Sequence, residues 1–166
     1  MKNNPIEIQF ASFSLGESLF AVDIMRIREI IEPQNGTPLP WKSRFLEEMI
    51  NLRGVVVPVM NMRKRFGMPP SADGTDEKLL LVTLPNGLMA LRVDEVHEIV
   101  SVPSDGIKPP PGNGEEPGSE CLLGVFLSNG KLYMILDIDN LLSHVEFHIL
   151  HDAGNNPGDD FLCGGV

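Results

Sequence analysis

Asn51-Leu-Arg-Gly-Val-Val-Val-Pro-Val-Met-Asn-Met-Arg-Lys-Arg-Phe-Gly67 decides the fold, because a degenerate copy of its pattern returns at Leu123–Leu142. Leu52 to Phe66 reads as an apolar residue, Arg, Gly, a β-branched strand and a short amphipathic turn of helix. Leu123 onward reads Leu-Gly-Val-Phe-Leu, a turn, Leu-Tyr-Met-Ile-Leu, then Asp137-Ile-Asp-Asn-Leu-Leu142. Upstream, Phe13-Ser-Leu-Gly-Glu-Ser-Leu-Phe-Ala-Val-Asp23 aligns with Val82-Thr-Leu-Pro-Asn-Gly-Leu-Met-Ala-Leu-Arg-Val-Asp94. Ile27-Arg-Glu-Ile30 and Val96-His-Glu-Ile99 follow the two aspartates. Such self-similarity implies two copies of one unit, and two copies are too few for a solenoid. The chain is expected to form two packed subdomains, halves 10–67 and 78–143, joined through the polar stretch Gly67 to Glu77.

The 166 residues suffice for one ordinary domain or two small ones. A unit of about 60 residues buries only roughly 60% of its unfolded surface, so each half should lean on the other for its core. No apolar run approaches the ~20 residues that cross a bilayer, and Met-Lys-Asn-Asn-Pro-Ile-Glu lacks the apolar centre of a signal peptide, which predicts a cytosolic protein without membrane insertion. Thirteen Lys and Arg against twenty-three Asp and Glu give a net charge of −10, which repels phosphate backbones and excludes nucleic acid as a natural partner. Arg53, Arg63, Lys64 and Arg65 form the one basic cluster, expected to be a solvated helix face. Cys121 and Cys163 match no metal-ligand spacing.

Strands are predicted at Ile6 to Leu15, Leu19 to Val22, Val55 to Val57, Leu79 to Leu84, Leu88 to Val93, Leu122 to Leu127 and Lys131 to Leu136. Pro58 cannot donate to a ladder, which places its strand at an edge, a bulge or a barrel seam. Asp23 is expected to cap a short helix with Ile24, Ile27 and Ile31 on one face, and a second helical segment is expected around Phe45 to Met49. Asn61 to Phe66 should be helical and stop at Gly67. Pro103 to Glu120, with only Ile107 to bury, reads as a mobile surface loop. Many short strands with frequent turns make the chain mainly β, with short helices, and predict two small β-barrels side by side.

Motifs for catalysis are lacking: there is no Gly-x-Ser-x-Gly, no phosphate-cradling loop and no His-Glu-x-x-His. His144, His148 and His151 fall at i, i+4 and i+7, a spacing that can share Zn²⁺ or Ni²⁺, although Val145, Phe147, Ile149 and Leu150 among them suit a terminal helix docking its apolar residues. Asp137-x-Asp139 lacks the glycine and distal glutamate of a calcium loop and reads as a helix cap. Asp94, Glu95 and Glu98 likewise read as capping and solvated residues. Glu29 and Arg53, oppositely charged within apolar sequence, are expected to form an ion pair.

Phe20-Ala-Val-Asp-Ile24 with Ile27-Arg-Glu-Ile30, Asn51-Leu-Arg-Gly-Val-Val-Val-Pro58 and Val93-Asp-Glu-Val-His-Glu-Ile99, in this order, resemble the CheW family of chemotaxis coupling proteins, over about Phe10 to Ser143. The resemblance implies two packed five-stranded SH3-like β-barrel subdomains, intertwined in a single CheW-like domain over 6–150, with 151–166 as a flexible tail. It implies a non-enzymatic adaptor without cofactor, in which one surface docks the regulatory domain of a CheA-type histidine kinase. A groove near the barrel junction would take the cytoplasmic hairpin tip of a chemoreceptor. By motif position Ile27, Glu29, Asn51, Leu52, Arg53 and Gly54 match the receptor-facing region. Two positions depart from the family: Glu48 stands where Gly is common, which would narrow or recharge the groove, and Asn61 where Asp is common. The other readings are an adaptor of a non-motility chemosensory pathway and a metal-binding protein using His144, His148 and His151.

Overall fold

The two sequence copies fold into matching series of strands, with tight turns closing their hairpins. In the computed structural model, which describes residues 5–72 and 76–141, these are β1 (Glu7–Leu15), β2 (Ser18–Asp23), β3 (Ile27–Ile31), β4 (Thr37–Pro38), β5 (Leu46–Leu52), β6 (Val55–Asn61), β7 (Lys78–Leu84), β8 (Gly87–Val93), β9 (Glu95–Pro103), β10 (Leu122–Ser128) and β11 (Lys131–Leu136). Helix α1 (Met62–Arg65) follows β6, its first turn capped by the Asn61 side chain, which accepts from the Lys64 N–H at 3.1 Å. The protein is mainly β, with two sheets and little helix.

Neither sheet comes from one half of the sequence. One runs β10-β11-β2-β1-β9 and the other β3-β7-β8-β6-β5-β4. With β1, β2, β3, β5 and β6 matched to β7, β8, β9, β10 and β11, each sheet takes the opening hairpin of one half and the remaining strands of the other. The exchange is reciprocal, and each sheet joins the halves once in parallel, with Val59 to Asn61 beside Ala90 to Arg92 and Tyr133 to Ile135 beside Leu19 to Ala21, and once antiparallel, β3 with β7 and β1 with β9. Both sheets curl. Lys108, beyond the outer strand β9, exchanges backbone hydrogen bonds of 2.8 and 2.9 Å with Val125 of the opposite outer strand β10. In the other sheet the chain leaving β3 returns as β4 against β5, pairing Thr37 with Met49.

Alternation along the strands then sorts the side chains. Phe10, Ala21, Val100, Phe126, Tyr133 and Ile135 fill one sheet's interior, and Ile107 packs on them from the Pro-rich loop. Ile50, Val57, Val59, Leu79, Leu81 and Ala90 fill the other. The third cluster lies between the sheets, where Phe13, Phe20 and Leu136 meet Met60, Leu80 and Leu91. Burying each such side chain stabilises by roughly 1.5–3 kcal/mol, so the shared layer makes the sheets mutually dependent.

Two expected helices are strands instead. Asp23 does accept from the Met25 N–H at 2.9 Å, but the helical turn is limited to Ile24–Arg26, and Ile27–Ile31 then pairs with β7. From Leu46 onward the segment expected to be helical belongs to β5; a bulge between Leu46 and Glu48 inserts an extra residue that disguises the alternation as a helical period. β6 is flanked by β5 and β8 and is not an edge, and its ladder with β8 begins at Val59, just past Pro58.

Asp94 and the basic cluster also differ from expectation. Asp94 is a buried acceptor, not a cap: Arg63 donates to both its oxygens, through Nε at 2.9 Å and through Nη2, and the Gly16 N–H donates at 2.7 Å. The Arg63 hydrogen bonds, helped by Gly16, hold this carboxyl below the usual carboxylate range. Arg65 is buried as well, donating to the Leu141 carbonyl at 2.5 Å and to Glu120 at 2.8 Å. Only Lys64 and Arg53 of the cluster face solvent. Asp139, on the turn after β11 that corresponds to α1, pairs with Arg26 at 2.7 Å. All three ion pairs therefore tie the first half to the second.

Candidate protein-docking site

The β5–β6 hairpin closes on Arg53 and Gly54, with φ of 52° and 87°. Positive φ at both central residues is the type I′ signature, whose twist matches that of paired strands. Asn51 stabilises the turn, its Oδ1 accepting from the Gly54 N–H at 2.8 Å. The matching β10–β11 turn uses Asn129 and Gly130, with φ of 52° and 76°. Asparagine tolerates this backbone region because its short side chain hydrogen-bonds locally, whereas arginine is disfavoured there. Arg53 thus occupies a position that the turn itself does not recommend.

Its side chain reaches across to β3. Arg53 Nη2 and Nη1 donate to Glu29 Oε2 and Oε1 at 2.6 and 3.3 Å, a two-pronged pair whose members are 70% and 32% exposed. The Arg53 hydrogen bond lowers the Glu29 pKa, and Glu29 raises that of Arg53. Val55 and Val56, directly after the turn, and Ile30 of β3 are also exposed. Of the residues singled out by motif, Glu29, Asn51, Arg53 and Gly54 meet at this tip. Ile27 and Leu52 are half-buried, packed respectively against the layer between the sheets and the interior of their own sheet. Ile30, Val55 and Val56 escaped the motif reading because outward exposure, not residue type, distinguishes them.

The two departures from the family pattern find partners. Glu48 takes the place that Gly124 has in the second copy, just past the equivalent bulge. Its carboxylate turns to Arg92, whose Nη2 donates at 2.7 Å; the same guanidinium also faces Glu47 at 3.3 Å and Glu77 at 3.8 Å, so it offsets only part of the negative charge there. Space comes from Gly36 of the crossing segment, where a Cβ would lie 2.7 Å from the Met49 carbonyl oxygen and 2.8 Å from Glu48 Cδ. Asn61 both caps α1 and donates to Glu47 at 2.6 Å.

His144, His148 and His151 lie outside the described residues. Among the described residues no three His, Cys, Asp or Glu side chains are grouped to hold a metal ion. No helix there is long and apolar enough to cross a membrane.

The family model for the CheW-like domain matches residues 9–146. The chain belongs to this family. It is 28% identical over 154 residues to a chemotaxis protein CheW of Treponema pallidum, covering 90% of this chain and 91% of that one. The CheW of Thermotoga maritima is also 28% identical, over 84% of this chain and 90% of its own length. The crystal structure of the scaffolding protein TtCheW from Thermoanaerobacter tengcongensis superposes with a TM-score of 0.76 at 28% identity, over 86% of this chain and 92% of that one. The protein is accordingly a CheW-type chemotaxis scaffold from a non-enzymatic family.

Proposed function

We propose that this CheW-like chain couples the cytoplasmic hairpin tips of chemoreceptors to a CheA-type histidine kinase, acting in the cytoplasm at membrane-associated receptor arrays. The receptor-facing site is the hairpin tip built by Glu29, Asn51, Arg53 and Gly54 with Ile27 and Leu52 beneath it. One observation carries this assignment: Arg53 sits at positive φ where the equivalent turn has Asn129, and still presents an exposed guanidinium oriented by Glu29, in a hairpin whose Val55 and Val56 are also exposed. Apolar surface with a few fixed polar groups is what a docking helix requires. The kinase-facing surface is the matching outer face of the other hairpin. There Leu127 and Leu132 oppose each other across β10 and β11 at 71% and 50% exposure, with exposed Leu123 nearby. Apolar contact between folded partners suits such a patch.

The test is Arg53→Asn. Asparagine keeps the turn and removes the ion pair, so the melting temperature should hold or rise while pull-down with a receptor hairpin fragment falls. Undiminished receptor binding by a folded Arg53→Asn protein would refute the site. Titration with the kinase regulatory domain tests the second partner separately.

A further inference from the structure

Asn-Gly occurs four times, at Asn35, Asn86, Asn113 and Asn129. It is the dipeptide in which the following backbone nitrogen, unshielded by any side chain, can attack the asparagine carboxamide. All four asparagines are exposed, so access to water does not separate them; the freedom of the backbone does. Asn129 is held at φ 52° in the type I′ turn between paired Ser128 and Lys131, and closing a five-membered ring would twist it out of that turn. Gly87 stands opposite Leu84 in the β7–β8 ladder. Gly36 is pressed on β5, where a Cβ would lie 2.7 Å from the Met49 carbonyl oxygen, and Thr37 beside it pairs with Met49. Asn113–Gly114 has none of these restraints. It lies outside every strand; nothing stands within 4 Å of a Cβ built at Gly114, and among the described residues nothing accepts from the Gly114 N–H. The Asn113 side chain folds over this backbone: Oδ1 accepts from the Glu115 N–H at 3.1 Å and Nδ2 donates to Glu115 Oε2 at 3.4 Å.

We infer that Asn113 is a self-modifying site, at which the native protein deamidates through a cyclic succinimide long before its other three Asn-Gly dipeptides do. Hydroxide takes the proton from the Gly114 nitrogen, which forms a bond to Asn113 Cγ. The bond from Cγ to the carboxamide nitrogen then breaks, and that nitrogen leaves as ammonia with a proton from water. Water opens the ring at Cγ to give aspartate, or at the main-chain carbonyl to give isoaspartate, and nothing is oxidised or reduced. The Glu115 N–H donates to the oxygen that gains negative charge in the attack, a contact of the kind that stabilises tetrahedral intermediates. Either product adds a carboxylate to a loop that already carries Glu115 and Glu116. Isoaspartate also puts an extra methylene into the main chain, so the turn that Asn113 makes over Glu115 is lost.

Incubation of the full-length protein in warm, mildly alkaline buffer, followed by peptide mapping, tests it. Cleavage after glutamate puts Asn113 and Asn129 in different peptides, since Glu115, Glu116 and Glu120 lie between them. In the native protein conversion at Asn113 should outpace that at Asn35, Asn86 and Asn129 by roughly tenfold or more, a barrier difference of about 1.4 kcal/mol. In guanidinium, with the fold removed, the four rates should converge. Isoaspartate titrated with an isoaspartyl methyltransferase should rise in step with the native reaction and fall in Asn113→Gln, which keeps the carboxamide but lengthens its tether. Conversion at Asn113 no faster than at Asn129 in the native protein, or isoaspartate that accumulates undiminished in Asn113→Gln, overturns the inference. A lead of Asn113 that persists unchanged in guanidinium overturns it as well, because the folded backbone would then not be the cause.

Discussion

Asp94→Ala removes the acceptor that joins three pieces of the fold: the end of β8, the β1–β2 turn at Gly16, and Arg63 on α1. The side chains of Arg63 and Asp94 are only 15% and 9% exposed, so water does little to compensate the guanidinium left behind. Stripping one partner from a buried ion pair costs about 3–5 kcal/mol. An orphaned Gly16 N–H adds about 1–3 kcal/mol. Against this, Arg63 keeps its bond of 2.8 Å to the Pro69 carbonyl and some solvent, so about 3 kcal/mol is the expected net loss. For a protein of this size that lowers the melting temperature by about 6–12 °C. Circular dichroism melts of Asp94→Ala, Arg63→Met and the double variant complete a cycle, in which the double variant should be less destabilised than the sum of the singles. The pH dependence has a definite sign. The folded pKa of Asp94 lies below its unfolded value near 3.9, so the stabilisation is present above about pH 4 and is lost as pH falls through the folded pKa. Asp94→Asn should therefore show a smaller acid-induced loss of stability than the parent. A melting temperature within about 2 °C of the parent for Asp94→Ala, with additive single effects, would refute the latch.

Gly124→Ala places a Cβ 2.6 Å from the Lys108 carbonyl oxygen, inside any allowed contact, so it must break the bridge that draws the outer strands of its sheet together. A loss of about 2 kcal/mol in urea unfolding is expected, and an unaffected midpoint would show the bridge to be dispensable. Leu127→Asp should leave the melting temperature nearly unchanged while weakening binding to the kinase regulatory domain; calorimetric titration checks it, and unchanged affinity moves the kinase surface elsewhere. Cys121, buried and with its thiol pushed up to about 12 by desolvation, should resist thiol reagents at pH 8 in a Cys163→Ser background until the protein is unfolded, and rapid native-state labelling would contradict that burial.

The duplication was legible in the sequence because glycine-marked turns and Val-Asp steps recur in the same order, and alternation located most of the strands. The exchange of hairpins between sheets was not, since strand pattern records which face is buried but not which partner lies alongside. β5 was misread for a local reason: its bulge shifts Leu46 and Ile50 into a helix-like spacing. Arg63 and Arg65 were misread for a distant one. Their partners Asp94 and Glu120 lie far along the chain, and a basic run on a short helix looks the same whether it is solvated or paired. At the candidate site, motif position brought out Glu29 and Arg53, but the significance of Arg53 depends on a φ angle that residue identity does not reveal.

Comparing the copies with each other separates what the fold needs from what one half alone has acquired. At the bulge, close approach of the crossing segment requires a small residue somewhere. The second copy supplies it on the strand, as Gly124 under Lys108, and the first on the crossing segment, as Gly36 over Glu48. With the glycine on the other side of the contact, β5 can carry a carboxylate, which accepts from Arg92. The turn works the other way. Asn129 meets the backbone requirement at no cost and Arg53 does not, yet Arg53 has no steric exchange to explain it. What its side chain does at the surface is to hold Glu29, and that is the physical ground on which we propose the receptor contact at this hairpin and not at its twin.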